Sequence, residues 1–276
     1  MGFAADEKEI DSSYHSSSLF SLYRVKIRGR KNDLAAKIMH SGDMAKTESE
    51  GLKALRDAGA DVPECYGYYF NGRAAVLFMD FVETGRSSGK EAIVKNLSGL
   101  YAKTFPEWGW NSFNFIGTKK QPNRLHKNFS DYFIQDRIEA QAKEAVDRKL
   151  LSGSFASVMS SVVRKRAEEW DLNACGPRLI HGDLWSGNVL HSSDGKAYII
   201  DPSVSYGHPE QDLAMLDLFG GPLGHKEKLA IGESFSMQEN YAERISYWQI
   251  YPLLVHVNIF GTSYASQLEN AVRRYE

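Results

Sequence analysis

The feature that most constrains this chain is a polar loop that lies between short apolar runs. The segment from Leu179 to Leu190 reads LIHGDLWSGNVL, and a later apolar run ends at Asp201. Turn-forming residues at positions 192–195 predict that the end of this segment pairs with the later run as a β-hairpin. Such a hairpin would hold Asn188 beside Asp201, with Asp183 a few residues upstream.

This spacing of two carboxylates and one amide is typical of enzymes that transfer a phosphoryl group. In that chemistry Asp183 accepts the proton of the substrate hydroxyl, while Asn188 and Asp201 hold Mg²⁺ on the nucleotide phosphates. Their oxygen atoms suit Mg²⁺, which is a hard cation. The alternative interpretation is a polar loop around a buried structural aspartate. The coincidence of three required groups favours the phosphoryl-transfer site.

Composition limits the classes of partner that we expect. Across 276 residues the formal net charge is −2, with 42% hydrophobic and 25% charged residues, as in ordinary globular proteins. This balance predicts neither a nucleic-acid partner nor an anionic membrane partner. Cys65 and Cys175 lack metal-ligand spacing and are interpreted as reduced thiols. The sequence shows neither a signal peptide nor a run of about 18 apolar residues, which predicts a soluble cytoplasmic protein.

A lysine stands inside an apolar strand early in the chain. The predicted strand from Leu34 to Met39 contains Lys37, which either extends to water from an edge strand or meets an anion. The next predicted element is a helix from about Met44 to Ala58, which carries Glu48 and Glu50. In a kinase-like layout, a strand lysine contacts the phosphates and pairs with a glutamate of the following helix. Glu48 is the favoured partner, although helical phase does not decide between the two.

A predicted hairpin and hinge follow. Residues 65–78 form two strands joined by Asn71-Gly72, a strong hairpin signal. We place a hinge at about 79–85, between an N-terminal nucleotide-binding lobe at 1–83 and a C-terminal catalytic lobe at 84–276. Backbone groups of the hinge would face the adenine ring, which assigns three residues to the nucleotide site: Asp80, Phe81 and Val82.

The loop expected to cover the phosphates lies between Ser12 and Ser21, ahead of a strand predicted from about Phe20 to Ile27. It contains several serines and no glycine. Serine amides can still point at phosphates, but the backbone freedom of glycine is missing. A flexible leader is the alternative interpretation of this segment.

Beyond the hinge, the pattern predicts helices with the central hairpin as the one strand-rich part. Residues 105–117 are rich in aromatic side chains, which suits either a packed loop or a pocket wall. Asp212 lies in the first turn of a helix predicted to begin near Pro209. Its carboxylate could also brace the polar loop by accepting backbone N–H bonds. The other predicted helices span about 90–103, 129–151, 155–170, 241–260 and 263–275.

Taken together, these motifs resemble the fructosamine-kinase (ketosamine-3-kinase) family, within the group of kinases similar to aminoglycoside and choline kinases. The tryptophan and the Ser-Gly pair inside the polar loop separate this family from its relatives. The similarity covers nearly the whole chain after Leu34. The residues that carry it are His181 to Asn188, Asp201-Pro202, Tyr206 to His208, Asp212 to Met215, Trp108 to Asn123, Asp131 to Phe133 and Asn258 to Gly261.

The resemblance implies an α+β, two-lobed protein-kinase-like fold, with a small antiparallel sheet and one helix in the first lobe and a larger, mainly helical second lobe. It implies ATP-dependent, Mg²⁺-dependent phosphorylation of a ketoamine (fructosamine or ribulosamine) at its 3-hydroxyl, in deglycation repair. The ketoamine would be a small molecule or protein-bound, and the enzyme a monomer or homodimer. The implied roles are base for Asp183, metal ligands for Asn188 and Asp201, phosphate positioning for Lys37 and Glu48, and substrate contact for Trp185, Asn114 and Asp212.

Two alternatives belong to other functional classes. A kinase of the same fold could act on another small alcohol, such as an aminoglycoside, choline or homoserine, although Trp185 and residues 108–123 argue against it. The glycine-free loop suggests a second alternative, an inactive nucleotide-binding pseudokinase. Trp185 itself is interpreted as a flat platform for the sugar or as a residue packed beneath the loop.

Overall fold

The computed structural model describes residues 10–14, 19–85 and 89–276. A five-stranded antiparallel sheet forms its amino-terminal part, with strand order β1-β2-β3-β5-β4. The central strand β3 has the predicted limits and places Lys37 inside the sheet. The strands are β1 (Ile10–Tyr14), β2 (Leu22–Ile27), β3 (Leu34–Met39), β4 (Cys65–Phe70) and β5 (Ala75–Asp80).

The start of the chain differs from the expected loop. Ser12 and Ser13 lie in β1, which pairs with β2, so the strand extends into the segment expected to cover the phosphates. Residues 15–18 of that segment lie outside the described residues.

One helix, α1 (Gly42–Asp57), packs beside the sheet. It begins where the Ser41 hydroxyl accepts a hydrogen bond from the Met44 N–H at 3.2 Å. It ends before Gly59, whose φ of +92° only glycine adopts without strain. The buried face of α1 includes Glu48, Leu52 and Leu55, so this helix brings a carboxylate toward β3.

The carboxyl-terminal part is mainly helical, as expected. The helix predicted over 129–151 contains eight π-helical residues and ends at Asp147, and α7 has no counterpart among the sequence predictions. The segments are α2 (Lys90–Tyr101), α3 (Phe129–Asp131), the π-helix (Tyr132–Glu139), α4 (Ala140–Asp147), α5 (Gly153–Glu169), α6 (Glu210–Leu218), α7 (His225–Gly232), α8 (Tyr241–Phe260) and α9 (Ala265–Arg273).

The expectation that strands stop after the hinge, apart from the central hairpin, is wrong. In the described part of the chain, six further strands form a four-stranded antiparallel sheet, ordered β10-β13-β6-β9, and a separate β7–β8 hairpin. Each has only two or three residues, too few to show alternation in the sequence. These six strands are β6 (Trp108–Gly109), β7 (Asn114–Ile116), β8 (Lys119–Gln121), β9 (Leu125–His126), β10 (Arg178–Ile180) and β13 (Ser205–Gly207), and the central hairpin consists of β11 (Val189–His191) and β12 (Ala197–Ile199).

The predicted central hairpin is present as β11 and β12, with Val189 opposite Ile199. The polar loop therefore leaves β10, passes a short 3₁₀ turn at Ser186–Asn188 and enters the hairpin directly. This mixture of one small sheet with α1 and a larger helical part confirms the α+β class. Within the described residues, no helix is long and apolar enough to span a membrane.

Candidate active site

Lys37 meets two carboxylates from different parts of the chain. Its Nζ lies 2.7 and 2.9 Å from the two carboxylate oxygens of Glu48 and 2.9 Å from Oδ1 of Asp201. Glu50 is instead exposed and lies 4.0 Å from Lys46, so the structure brings Glu48 to the lysine.

Lys37 stays charged in this position. Burial alone would lower the pKa of Lys37, but the nearby Asp201 and Glu48 carboxylates raise it above its ordinary value. Because Asp201 follows β12 and Glu48 belongs to α1, one ammonium group joins the sheet, the helix and the central hairpin. The alternative interpretation of Lys37 as an edge lysine that extends to water is therefore excluded, because β3 lies between β2 and β5 and Lys37 is buried.

The polar loop is held from inside by a neutral histidine. The His181 ring is completely buried, and its Nε2 donates to the carbonyl of Ile200 at 2.8 Å. Its Nδ1 accepts the backbone N–H of Asp183 at 3.3 Å, which fixes the same tautomer. Burial lowers the pKa of His181 to about 4, so the ring stays neutral at physiological pH. His181 therefore fixes the loop beside the strand that leads to Asp201.

Asp212 braces the same loop from below. Its carboxylate accepts the N–H groups of His181 and Gly182 at 2.7 and 2.8 Å, and the Tyr101 hydroxyl at 2.9 Å. Gly182 has a φ of +82°, and a Cβ there would lie 2.1 Å from the carbonyl oxygen of Ser203, so only glycine fits. Because Asp212 is 1% exposed, the expectation of a direct substrate contact is corrected to a supporting role.

Replacing Asp212 with asparagine should lower both stability and turnover. The amide can accept only one of the two loop N–H groups, and a buried unsatisfied donor costs about 1–3 kcal/mol. Thermal unfolding should show a lower Tm, and kcat should fall more than the KM for ATP rises. Tyr101→Phe, which removes one bond to the same carboxylate, should show a smaller version of both effects. A normal kcat in Asp212→Asn would contradict the bracing role.

Asn188 and Asp201 supply the oxygen atoms suited to a cation. The Asn188 Nδ2 donates to the backbone carbonyl of Asp183 at 2.8 Å, which leaves the amide oxygen as its remaining polar atom. Asp201 has a φ of +57°, a left-handed conformation that aspartate and asparagine tolerate better than most residues. Among the described residues, no cluster of three histidine, cysteine or acidic side chains could hold a metal alone. This donor set fits Mg²⁺ bound jointly by protein and phosphate oxygens.

Asp183 is half-buried and lines the cavity into which these groups face. Burial, reinforced by the negative charges of Asp201 and Asp212, raises the pKa of Asp183 to about 7, while Lys37 opposes the rise. A carboxylate with a raised pKa in a cleft is suited to accepting a proton from a bound hydroxyl.

The cavity has a volume of about 390 Å³, which is within the range for small-molecule sites. Trp185 forms part of its wall, half-buried, with Phe219 at 6.2 Å between ring centroids. The indole covers Gly187, where an added Cβ would lie 2.2 Å from the ring, so a larger residue there would displace the indole. Trp185 is thus neither fully buried beneath the loop nor free in solvent; one part packs on Gly187 and another faces the cavity.

Asn114 does not line the cavity. It is 4% exposed and donates to the carbonyl of Val204 at 2.8 Å, while its oxygen accepts bonds from Gln121 and Asn123 at 2.9 and 3.0 Å. The expectation that Asn114 contacts the substrate directly is therefore corrected to a supporting role. Asn114 instead fastens the β7–β8 hairpin, whose Phe115 to Gly117 do line the cavity, to the segment after Asp201. The aromatic segment therefore contributes in part to a pocket wall.

The three hinge residues have no side chain in this cavity. The N–H groups of Asp80 and Phe81 bond to the carbonyls of Glu64 and Asp33 at 2.9 and 3.0 Å. The Asp80 carboxylate accepts the Tyr66 hydroxyl at 2.7 Å. Contact of Asp80, Phe81 and Val82 with adenine stays a prediction. The N–H groups of Asp80 and Phe81 would not donate to adenine in such a contact, because they already bond within the protein.

The sequence analysis did not identify several residues of the cavity wall, among them four with rings: Phe219, His256, Phe260 and Tyr264. Two of them lie in α8, where apolar residues surround the helix and periodicity marks no single face. The position of Phe260 just before Gly261, within a motif shared with the resembled family, is the signal that could have identified it.

The family model for fructosamine kinase matches residues 11–275. A protein from Enterococcus faecium assigned as a ketoamine kinase is 32% identical over 254 residues, which cover 92% of this chain and 90% of that one. The crystal structure of a Thermobifida fusca protein assigned as a fructosamine-3-kinase superposes with a TM-score of 0.84 and 28% identity. The match covers 96% of this chain and 92% of that one.

A more distant similarity shows the fold alone. A thermostable mutant of an aminoglycoside phosphotransferase, solved in a ternary complex with AMP-PNP and hygromycin B, superposes with a TM-score of 0.64 at 14% identity. This match covers 96% of this chain and 93% of that one. The architecture is thus the protein-kinase-like fold that such phosphotransferases share.

Proposed function

This chain belongs to the fructosamine kinase family, and we propose that it transfers the terminal phosphoryl group of ATP to the 3-hydroxyl of a ketoamine. The observation that carries the proposal is the meeting of Lys37, Asp183, Asn188 and Asp201 at one cavity. Each of these groups suits one requirement of phosphoryl transfer: charge neutralisation, a base and two oxygen ligands for a cation.

In the proposed reaction Asp183 acts on the substrate hydroxyl. Its carboxylate accepts a hydrogen bond from that hydroxyl, aims the oxygen at the phosphorus and takes the proton as the new bond forms. The buried and neutral His181 keeps this carboxylate in place through its bonds to the loop. Lys37, fixed by Glu48, pairs with phosphate oxygens and restrains the nucleotide.

We assign Asn188 and Asp201 as the residues that hold magnesium. When bound, the metal neutralises phosphate charge and orients the terminal phosphoryl group. Asn188 is suited to this role because its nitrogen is already bonded to the loop and its oxygen is the remaining polar atom.

The boundary between lobes stays a proposal at residues 83 and 84. The Ser192 hydroxyl and the Ser193 N–H both bond to the carbonyl of Glu83, at 3.3 and 3.0 Å, and the Gly85 N–H bonds to His191 at 3.0 Å. We propose that the backbone here, including Val82, borders the adenine and that these bonds hold it against the central hairpin.

An ADP-release assay with ribulosyl-, erythrulosyl- and fructosyl-lysine tests the proposed activity. Turnover that requires both Mg²⁺ and a ketoamine is the expected result. The same panel should include an aminoglycoside, choline and homoserine, because kinases of this fold act on other alcohols. Turnover with one of those alone would replace ketoamine as the substrate class. Absence of ADP release with all of them would support an inactive scaffold.

We expect Trp185→Leu to lower kcat/KM for ketoamines by about 10-fold, equivalent to about 1.4 kcal/mol of transition-state binding. An indole offers a flat apolar face to a sugar and an N–H donor at its edge. The KM for ATP and the Tm should change little, since Trp185 is only half-buried. A large fall in Tm with an unchanged ketoamine KM would instead identify Trp185 as a packing residue.

A further inference from the structure

Four rings continue the cavity wall from Trp185 to its mouth. Phe219 meets Trp185 at 6.2 Å and His256 at 5.1 Å, between ring centroids. Phe260 and Tyr264 lie 5.5 and 5.0 Å from His256 and 5.8 Å from each other. We call Phe219, His256, Phe260 and Tyr264 the ring wall. It begins next to the reacting end of the cavity, because Trp185 is two residues after Asp183.

The outer part of this wall is exposed although it is apolar. Phe219 is 41% exposed and Phe260 is 52% exposed, and Leu19 at the same cavity is 37% exposed. Large apolar side chains clustered at a cavity mouth are typical of ligand-binding surfaces. This rim is continuous, through Phe219 and Trp185, with Asp183 at the proposed catalytic centre, so the molecule whose hydroxyl reaches Asp183 can extend to it.

Among the described residues that line the cavity, Lys37 is the one charged cation. It is paired with Glu48 and Asp201, and the proposed function assigns it to the nucleotide phosphates, so it is not free to bind an anionic group of the other substrate. Glu48, Asp183 and Asp201 are carboxylic acids on the same cavity. A carboxylate placed here would therefore be desolvated and repelled.

His256 does not supply the missing positive charge. Its Nδ1 lies 2.7 Å from the carbonyl oxygen of Pro252, which can only accept a hydrogen bond, so Nδ1 carries the proton. Burial lowers the pKa of His256, which keeps the ring neutral. The imidazole thus acts as part of an uncharged aromatic surface.

We propose that the ring wall receives the substituent on the ketoamine nitrogen and selects substituents that are apolar and carry no carboxylate close to that nitrogen. This inference rests on the proposed function. In a ketoamine, three carbon atoms separate the nitrogen from the 3-hydroxyl oxygen. A hydroxyl at Asp183 therefore keeps the nitrogen within the cavity and directs its substituent outward. The protonated amine suits a site with carboxylates and aromatic faces, and an alkyl chain suits the rim.

The test compares two substrates of equal length, the ribulose ketoamines of n-butylamine and of γ-aminobutyrate. They differ in a terminal methyl or carboxylate group. The wild-type enzyme should give a kcat/KM at least about 10-fold higher with the butylamine adduct, because the carboxylate meets apolar rings and like charges. Phe260→Arg should reduce that ratio at least about 10-fold, because it places a cation on the wall where the carboxylate arrives.

Tyr69→Arg is the matched control. Tyr69 is 65% exposed on β4 and does not line the cavity, so Tyr69→Arg adds the same charge outside the cavity. This variant should keep the wild-type ratio, since a charge that stays in solvent is screened by salt. If Phe260→Arg does not fold, Tyr264→Arg places the charge on the same wall.

Each outcome separates this inference from the proposed function. Equal kcat/KM values for the two adducts in the wild-type enzyme would overturn the selectivity while leaving ketoamine phosphorylation intact. A ratio that the arginine on the wall does not change would overturn the assignment to the ring wall. Absence of ADP release with both adducts and with the lysine adducts would overturn the proposed function, and this inference with it.

Discussion

Replacing Asp183 with asparagine should lower kcat by about 10²- to 10⁴-fold, the range expected for loss of a positioned base. The amide keeps the shape of the carboxylate but cannot take the proton of the substrate hydroxyl. The nucleotide should still bind, because Lys37, Glu48 and Asp201 make their contacts without the Asp183 side chain.

Single-turnover kinetics and calorimetric ATP binding measure the two effects separately. A large loss of turnover with nearly unchanged Mg-ATP affinity is the expected pair of results. The Tm should not fall greatly, because the loop is held by the backbone N–H groups of His181 and Gly182 on Asp212. If the variant keeps nearly wild-type kcat, Asp183 is not the base and the role of the loop must be reassigned.

Replacing Asp201 with asparagine should lower kcat/KM for Mg-ATP by at least about 100-fold, because a lost carboxylate ligand removes several kcal/mol of charge stabilisation. Asparagine is a better test than alanine. It tolerates the left-handed backbone at φ +57°, whereas alanine adds strain unrelated to the metal. Lys37 would lose one anion but keep both bonds to Glu48.

The measurement is Mg-ATP affinity by calorimetry, with steady-state kinetics and thermal unfolding in parallel. Asp61→Asn is the matched control, because Asp61 bonds to Lys196 at 2.7 Å and does not line the cavity. Unchanged Mg-ATP affinity together with normal activity of Asp201→Asn would exclude Asp201 as a metal ligand.

The sequence predicted the parts of the fold whose signals are local. The central strand Leu34–Met39 has its predicted limits, and the helix that carries Glu48 differs only slightly at its ends. Turn chemistry predicted the β4–β5 hairpin and the central hairpin, and Asn71 Oδ1 accepts the N–H groups of Arg73 and Ala74 in the first of these turns. The short strands beyond the hinge were missed, because two or three residues carry no periodic pattern and pair with distant parts of the chain.

The site residues that could be predicted are likewise those whose proximity depends on local sequence. Asp183, Asn188 and Asp201 lie within one loop and one hairpin, so their proximity follows from sequence spacing. The roles of Asn114 and Asp212 were harder to predict, because a motif does not show whether a side chain faces the cleft or the loop behind it. The ring wall depends on packing between the end of α6, α8 and the turn before α9, and no local pattern predicts such contacts.

Locating the phosphate on the product tests whether this protein phosphorylates the 3-hydroxyl of a ketoamine. The wild-type enzyme, given Mg-ATP and the ribulose ketoamine of n-butylamine, should form one ADP for each ketoamine 3-phosphate, as phosphorus and carbon NMR can show. Asp183→Asn should form neither within the same period. ADP formed without a phosphorylated ketoamine, a phosphate on another hydroxyl, or equal product from Asp183→Asn would contradict the proposed reaction.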